Sequence, residues 1–312
     1  MKWYAPDSYP RFVCIGGRCR HSCCIGWEID IDRSSLARYQ AVEGPFGERL
    51  RAGIAGGSFR MDEQGRCAFL NPDGLCEMIL QLGEESLCHI CADHPRFRNH
   101  YAHRTELGLG LCCEEAARLT VLHQPPMKLV LLADDGAADA PSAREKDFLN
   151  RRDYLLALLQ KRSLPLTERM RRALALWGAK APALSPAQWA QRLSGLERLE
   201  QDWAISLRLL SQSPGGDGGM LHQPQWETAF EQLAVYFCYR HLSGALQDGC
   251  FRQRLAFCAS SVEILRRMCM GHLAAHGQVS LAHLTEFARQ YSSEIEYSED
   301  NLQAMLRWCG ER

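Results

Sequence analysis

Cys14-Ile-Gly-Gly-Arg-Cys19-Arg-His-Ser-Cys23-Cys24 places four thiols within eleven residues, separated by glycines that let the backbone wrap a small object. Sulfurs this close need either a shared metal or mutual oxidation, and thiolates are soft ligands that suit zinc tetrahedra or iron-sulfur clusters. The spacing matches neither C-x2-C…C-x2-C nor C-x2-C-x2-C, so it leaves the metal open. Working outward, Cys67 and Cys76 flank the turn Asn71-Pro72-Asp73-Gly74, and a short helix is expected to open near Cys76. Cys88-His-Ile-Cys91 has the spacing that sets both thiols on one face if residues 84–91 are helical. Cys112 and Cys113 directly precede Glu114-Glu115-Ala-Ala-Arg118, a further helix start. A thiolate at a helix start is stabilised by free backbone amides and by the helix dipole, so several of these positions read as ligand placement.

Ten of the 15 cysteines lie between Cys14 and Cys113. That number exceeds one four-ligand site, so either two centres exist or a subset binds while the rest are spectators. A redox relay and inert buried thiols are the competing readings. Vicinal pairs rarely place both thiols on one ion, so Cys23/Cys24 and Cys112/Cys113 should give one ligand each or serve different metals. The amino-terminal residues lack the apolar core of a secretory signal, so a cytoplasmic setting is expected. There, clustered thiols are ligands or redox groups rather than a disulfide framework. The later five, Cys238, Cys250, Cys258, Cys269 and Cys309, fall in apolar helical patterns and read as small buried hydrophobes.

The 312 residues carry 36 Lys+Arg against 37 Asp+Glu, a formal net charge of -1, with no basic footprint for a nucleic acid or a polybasic membrane anchor. Apolar runs such as Leu129 to Ala133 fall far short of the roughly 20 residues that cross a bilayer. The stretch Leu132 to Arg144 is rich in small, acidic and breaker residues and separates two textures. Residues 1–131 read as a loop-rich cysteine domain with short helices and small β-hairpins, and residues 132–144 as a linker. Residues 145–312 read as an all-helical domain, making the chain mainly α. Short strands are expected at Ser58 to Met61, at Cys67 to Leu70 and around Tyr101 to Leu111, forming hairpins at most. Helical periodicity runs through Phe148 to Leu159, Met170 to Trp177, Trp189 to Leu210, Trp226 to Leu246, Leu255 to Leu273, Leu281 to Tyr291 and Leu302 to Trp308. Ser185, Ser280, Ser293 and Ser298 are candidate N-caps. Ser211 to Gly219 reads as a connector between helices. No GxGxxG follows a strand and no GxxxxGK[ST] exists, so neither a Rossmann-type site nor a P-loop is expected.

The stretches Cys14 to Asp32, Cys67 to Met78, Leu82 to Phe97 and Cys113 to Leu119 resemble the flagellin lysine N-methylase family, whose cysteine-rich region is related to zinc- or iron-chelating cluster domains. Val235 to Leu242 and Glu294 to Leu302 also resemble family segments. Carried over by position, the family's metal-ligating cysteines are Cys14, Cys19, Cys23, Cys24, Cys67, Cys76, Cys91 and Cys113, while Cys88 and Cys112 look like additions. The chain departs from the family pattern at Glu114, where Pro is usual, at His94-Pro95-Arg96, where Tyr-Pro-Arg is usual, and at Tyr297, where His is usual. The resemblance implies methyl transfer from S-adenosylmethionine to lysines of a protein substrate, flagellin among the possibilities, with an iron-sulfur cluster, 4Fe-4S rather than zinc, as cofactor. Arg240, Glu296 and Asn301 gain interest only through it.

Such a reaction needs a neutral amine, an in-line methyl sulfonium and exclusion of water. His94, Arg96 and Glu115 are the candidate catalytic groups. Trp27 offers an aromatic face for the sulfonium and Arg118 a fork for its carboxylate. An iron with an open site is the preferred alternative for holding the methionine part. Trp27 as a core residue, Arg118 as an ion-pair partner of Glu114 or Glu115, and His94 as a turn residue are the plainer readings. A structural zinc module and an iron-sulfur oxidoreductase stand as the alternatives in function.

Overall fold

The computed structural model describes residues 1–136, 139–216 and 219–311. The chain forms two compact units. One, the cysteine unit, comprises Val13–Arg96 with Cys113–Glu115; the other, the helical unit, comprises Met1–Phe12, Phe97–Cys112 and Ala116–Arg312. Six strands occur among the described residues: β1 (Lys2–Pro6), β2 (Ile54–Ala55), β3 (Ser58–Phe59), β4 (Arg96–His100), β5 (Arg104–Leu109) and β6 (Leu129–Asp134).

In the cysteine unit, α1 (Arg33–Gln40), α2 (Gly44–Ala52), α3 (Glu77–Leu82) and α4 (His89–Asp93) are short and joined by loops around the β2/β3 hairpin. Asp32 shows why α1 and α4 begin where they do. One carboxylate oxygen accepts the Ser35 N–H (2.9 Å) as the N-cap of α1, and the other accepts the His89 N–H (3.0 Å) in the first turn of α4. Tyr39, Phe59 and Phe69 meet in tilted and edge contacts, and with Ile29, Ile31, Leu50, Met78, Cys67 and Cys88 they make a small core. The loop carrying Cys14 and Cys19 lies on the Asn71–Gly74 turn so closely that a Cβ at Gly17 would stand 2.7 Å from the Asp73 carbonyl oxygen. Cys76 precedes α3, as its spacing predicts. Residues 84–91 are not one helix: a 3-10 turn over Glu84–Ser86 ends before Cys88, which is the N-cap of α4.

The helical unit contains α5 (Glu114–Val121, whose first two residues count with the cysteine unit), α6 (Ala143–Leu159), α7 (Leu166–Trp177), α8 (Pro186–Ser194) and α9 (Trp203–Ser211). It continues with α10 (Pro224–His241), α11 (Ala245–Asp248), α12 (Phe251–His276), α13 (Leu281–Tyr291) and α14 (Glu299–Gly310). α10 is buried on nearly every side, from Trp226 to His241, and α12 packs against α9, α10 and α14. A helix apolar all round belongs at a core centre, and these two are that centre. Cys238, Cys258, Cys269 and Cys309 are buried there as expected; Cys250 precedes α12 half-buried.

Several expectations are corrected. The chain does not divide at 132–144: Leu132 to Asp134 complete β6, and Ala143 and Arg144 open α6. The chain is mainly α with small sheets, as expected, but β4, β5, β1 and β6 join in one four-stranded sheet in that order, with β1 parallel to β5 and antiparallel to β6, where the sequence predicts separate hairpins. This sheet recruits Met1–Phe12 and Phe97–Cys112 to the helical unit. Trp189 to Leu210 is two helices, since Leu199 and Glu200 donate their N–H groups to the Glu294 carboxylate instead of continuing α8. Ser185, Ser280 and Ser298 are N-caps, whereas Ser293 lies within a π-helical turn, Ser292–Glu296, that prolongs α13. Ala137 and Ala138 of the expected linker, and Asp217 and Gly218 of the Ser211 to Gly219 connector, lie outside the described residues. No helix among the described residues is long and apolar enough to cross a membrane.

Buried ion pairs fasten this unit. Arg152, without exposure, holds Glu106 through both terminal nitrogens (Nη2 to Oε1 3.0 Å) and donates to the Tyr101 hydroxyl at 3.0 Å. Removing one partner of such a pair strands the other charge, so Glu106→Gln should cost about 3–5 kcal/mol, read from urea unfolding followed by the buried Trp203 and Trp226. Glu168→Gln, which breaks the exposed pair with Arg171, should leave stability nearly unchanged, because solvent screens such a pair. Equal losses would show that the Arg152 pair is not what fastens the core.

Candidate functional site

The ten amino-terminal thiols part company in space. Nine lie in the cysteine unit, and Cys112 lies in the helical unit. Loop pairing gathers distant positions: the Cys67 N–H donates to the Cys24 carbonyl (2.8 Å), Met61 bridges to Cys67, and Leu70 to Cys76. Two neighbourhoods result. Cys19 and Cys23 both feel Cys14 and Cys113; Cys67 feels Cys24, Cys76 and Cys88, and Cys91 feels Cys88, Cys24 and Cys23. The vicinal Cys23 and Cys24 belong to both neighbourhoods, since each acts on the other and both act on Cys91.

Two thiol pairs set each other's proton affinities. Cys23 is hydrogen-bonded to Cys24, which raises Cys23, with burial adding to it, and lowers Cys24 to about 7. Likewise Cys91 is raised by its bond to Cys88, and Cys88 is lowered to about 6 by the same bond and by backbone amides at the start of α4. Burial pushes Cys19 and Cys67 up to about 11 and raises Cys76. Cys88, read in the sequence as an addition, is thus a fully buried member of the thiol group. Among the described residues no three His, Cys, Asp or Glu side chains stand ready to hold a metal ion. The thiols nonetheless outnumber the other donors around them, with one acidic thiol in each pair, which is donor chemistry that suits a soft metal.

Beside the thiols, the Trp27 and His94 rings lie with centroids 6.0 Å apart, and the Trp27 Nε1–H donates to the Cys23 carbonyl at 2.6 Å. Arg96 donates to the Ala92 carbonyl (3.1 Å). Glu115 is buried, and Glu114 receives both the backbone N–H and the Nε–H of Arg20 (2.9 and 3.1 Å), with Cys19 Sγ 3.9 Å away. Arg118 is exposed and belongs to the helical unit. The structure so brings Trp27, His94 and the thiols into one unit, and leaves Arg118 in the other.

The helical unit has a polar centre of its own. Glu296, at the end of the π-helical turn, accepts from the Tyr236 hydroxyl (3.0 Å) and the buried His241 Nε2, and lies 3.4 Å from Arg240 Nε. Arg240 Nη1 also donates to the Tyr236 oxygen (2.7 Å), and its guanidinium covers the Phe97 and Tyr297 rings at 5.0 and 5.3 Å. Burial would raise the Glu296 carboxyl, but Arg240 and the His241 contact outweigh it and hold it down at about 2. Burial disfavours the charged form of the His241 ring, against the opposing pull of the Glu296 carboxylate. Asn301 bonds the Glu197 and Glu294 carbonyls (2.8 and 2.7 Å), tying the π-helical turn down. Tyr236 and His241 escaped the sequence reading, since nothing in the pattern of an apolar helix marks them.

These helices define a known class of domain. Residues 221–312 match the family described as the FliB lysine N-methylase C-terminal domain, a segment that contains Tyr236, Arg240, His241, Glu296 and Asn301. Lysine-N-methylase of Salmonella typhimurium is 28% identical over 130 residues, covering 38% of this chain and 32% of that protein, and flagellar biosynthetic protein FliU of Salmonella muenchen is 26% identical over 130 residues, covering 38% and 76%. The chain thus aligns with about a third of the length of the lysine-N-methylase. The resemblance to the flagellin lysine N-methylases read from the motifs is borne out. No solved structure matches the chain.

Burial, with Arg96 beside it, holds the His94 ring at about 4 against an ordinary 6.5. As pH falls, the unfolded chain binds this proton first, so the contribution of His94 to stability is full above 6.5 and is lost between 6.5 and about 4. In urea titrations across that window, His94→Gln should lose less stability than the parent. Parallel pH slopes would mean that His94 is not held neutral.

Proposed function

We propose that the chain is a protein-lysine N-methyltransferase that uses S-adenosylmethionine, carries an iron-sulfur cluster on the cysteine unit and modifies a flagellar protein in the cytoplasm. The observation that carries this reading is the match of residues 221–312 to the FliB lysine N-methylase C-terminal domain. For the cluster, the candidate holders are Cys14, Cys19, Cys23, Cys24, Cys67, Cys76, Cys91 and Cys113, with Cys88 added on its burial and its bond to Cys91. Metal binding would displace the protons of the thiols that ligate it. Bound there, a cluster with an open iron would supply a chelation point for the amine and carboxylate of the methionine moiety.

The chain's own residues meet the remaining needs of the reaction. Methyl transfer forms an N–C bond to a neutral lysine amine as the sulfonium S–C bond breaks, and the amine gives up a proton. Arg96 disfavours an ammonium beside it, which helps neutralise the amine. The neutral His94 ring offers a nitrogen lone pair to orient it, and the Glu115 carboxylate is the candidate proton acceptor. The Trp27 face would hold the sulfonium by cation-π attraction.

The test is anaerobic purification with iron, sulfide and zinc analysis, joined to methyl transfer from labelled S-adenosylmethionine to flagellin. Brown protein with about four irons and four sulfides per chain and labelled lysine is the expected result. Cys24→Ser, Cys67→Ser and Cys88→Ser should each lower bound metal, and Cys269→Ser should not. Colourless protein with stoichiometric zinc and no transfer would replace this reading with a structural zinc module.

A further inference from the structure

Three histidines meet where α12 ends and α13 begins. The His272 ring lies 4.5 Å from that of His276, one turn later, and 4.1 Å from that of His283, in the first turn of α13. His276 is exposed and the other two are half-buried, so all three can exchange protons with solvent.

Hydrogen-bond partners decide where the protons sit. His272 Nδ1 is 3.0 Å from the Gln278 carbonyl, which can only accept, so this nitrogen carries its hydrogen. His283 Nδ1 is 3.1 Å from the Ser280 backbone N–H, which can only donate, so this nitrogen must keep its lone pair. That bond is half of the capping box at the start of α13; the Ser280 hydroxyl, accepting from the His283 N–H, is the other half. The box thus uses histidine where glutamate or glutamine is usual, and histidine alone of these loses its acceptor between about pH 5 and 8.

We infer that His272, His276 and His283 form a proton-operated latch that holds the α12–α13 corner closed while the rings are neutral and releases it when they protonate. Adding a proton to His283 Nδ1 takes away the acceptor of the Ser280 backbone N–H and so breaks that half of the box; the Ser280 hydroxyl, 3.1 Å from the same nitrogen, is left to accept from it. Two imidazolium rings in contact repel as well. Among the described residues the titratable groups that act on His272 are His276 and His283, with no carboxylate among them to offset the repulsion; His272 also meets the Gln278 carbonyl and the Phe287 ring, 6.0 Å away on α13. Burial adds to this by disfavouring the charged form of His272. Opening would free the Gln278–Ser280 turn and the first turn of α13, Leu281 to Leu284.

Amide hydrogen exchange on the whole chain, corrected for intrinsic rates, reads the latch directly. Protection of the amides from Ser280 to Leu284 should fall roughly tenfold between about pH 7.5 and pH 5, while α10 keeps its protection. His283→Gln rebuilds the capping box with a side chain that does not titrate, and it should leave the corner closed at both pH values. His272→Gln/His276→Gln, which removes the repulsion but not the cap, should show a smaller fall than the parent. A fall in His283→Gln equal to the parent's, or no fall in the parent, would overturn the latch.

Discussion

The cysteine unit lives under a shortage of apolar surface. Besides Cys67 and Cys88 its core holds seven apolar side chains, Ile29, Ile31, Tyr39, Leu50, Phe59, Phe69 and Met78. Loop-rich units with so little to bury need other fastenings, and the remaining features of this unit are those fastenings. Asp32 ties the starts of α1 and α4 together, Arg49 pairs with Glu77, Arg20 pairs with Glu114, and Gly17 lets one cysteine loop lie on the turn that precedes Cys76. Each fastening ends within a few residues of a thiol. Rigidity and thiol placement are therefore the same problem here, and a ligand that drew the thiols together would supply the cohesion that apolar packing does not.

How far the fold can be read from sequence differs between the units for a physical reason. In the helical unit the signals are local: periodic apolar residues and the caps Ser185, Ser280 and Ser298, each accepting the backbone N–H three residues on, mark the helices. Failures came where a long-range bond overrides a local pattern. The apolar run from Leu129 reads as a fragment of nothing until Lys2–Pro6 lies beside it as β1, more than a hundred residues earlier. Residues after α8 keep an apolar rhythm, yet their N–H groups go to Glu294 instead. Ser293 has the composition of a cap, but the chain stays helical past it.

For the candidate site, spacing singles out residues but does not say which of them meet. Cys24 and Cys67 are joined by a backbone bond across more than forty residues, and no spacing rule reaches that far. Cys88 looked like an addition because a resemblance compares positions, whereas the structure judges burial, and Cys88 is fully buried beside Cys91. Cys112 and Cys113 are adjacent in sequence yet belong to different units. Trp27 and His94, chosen for their chemistry, do share a neighbourhood, and Glu114, which carries the Arg20 contact, was passed over for its neighbour Glu115.

The Glu296 centre raises a sharper question, namely what a fully buried carboxylate is for. Taking such a charge out of water costs several kcal/mol, roughly, unless close partners restore the lost interactions, and here Arg240, Tyr236 and His241 do so. A carboxylate engaged by these donors and held near 2 is a poor proton acceptor at neutral pH, so it is unsuited to act as a general base. Its geometry fits a positioning role instead. Glu296 is brought inward by the π-helical turn, a rare local form that re-aims a side chain, and it locks α10 to the segment between α13 and α14. The lock also fixes the Arg240 guanidinium between the Phe97 and Tyr297 rings. Of this centre, the Tyr297 ring is the part that keeps substantial exposure, at 43%. The Arg240–Tyr297 side is therefore where this centre reaches solvent, with Glu296 behind it as the charge that keeps Arg240 in place.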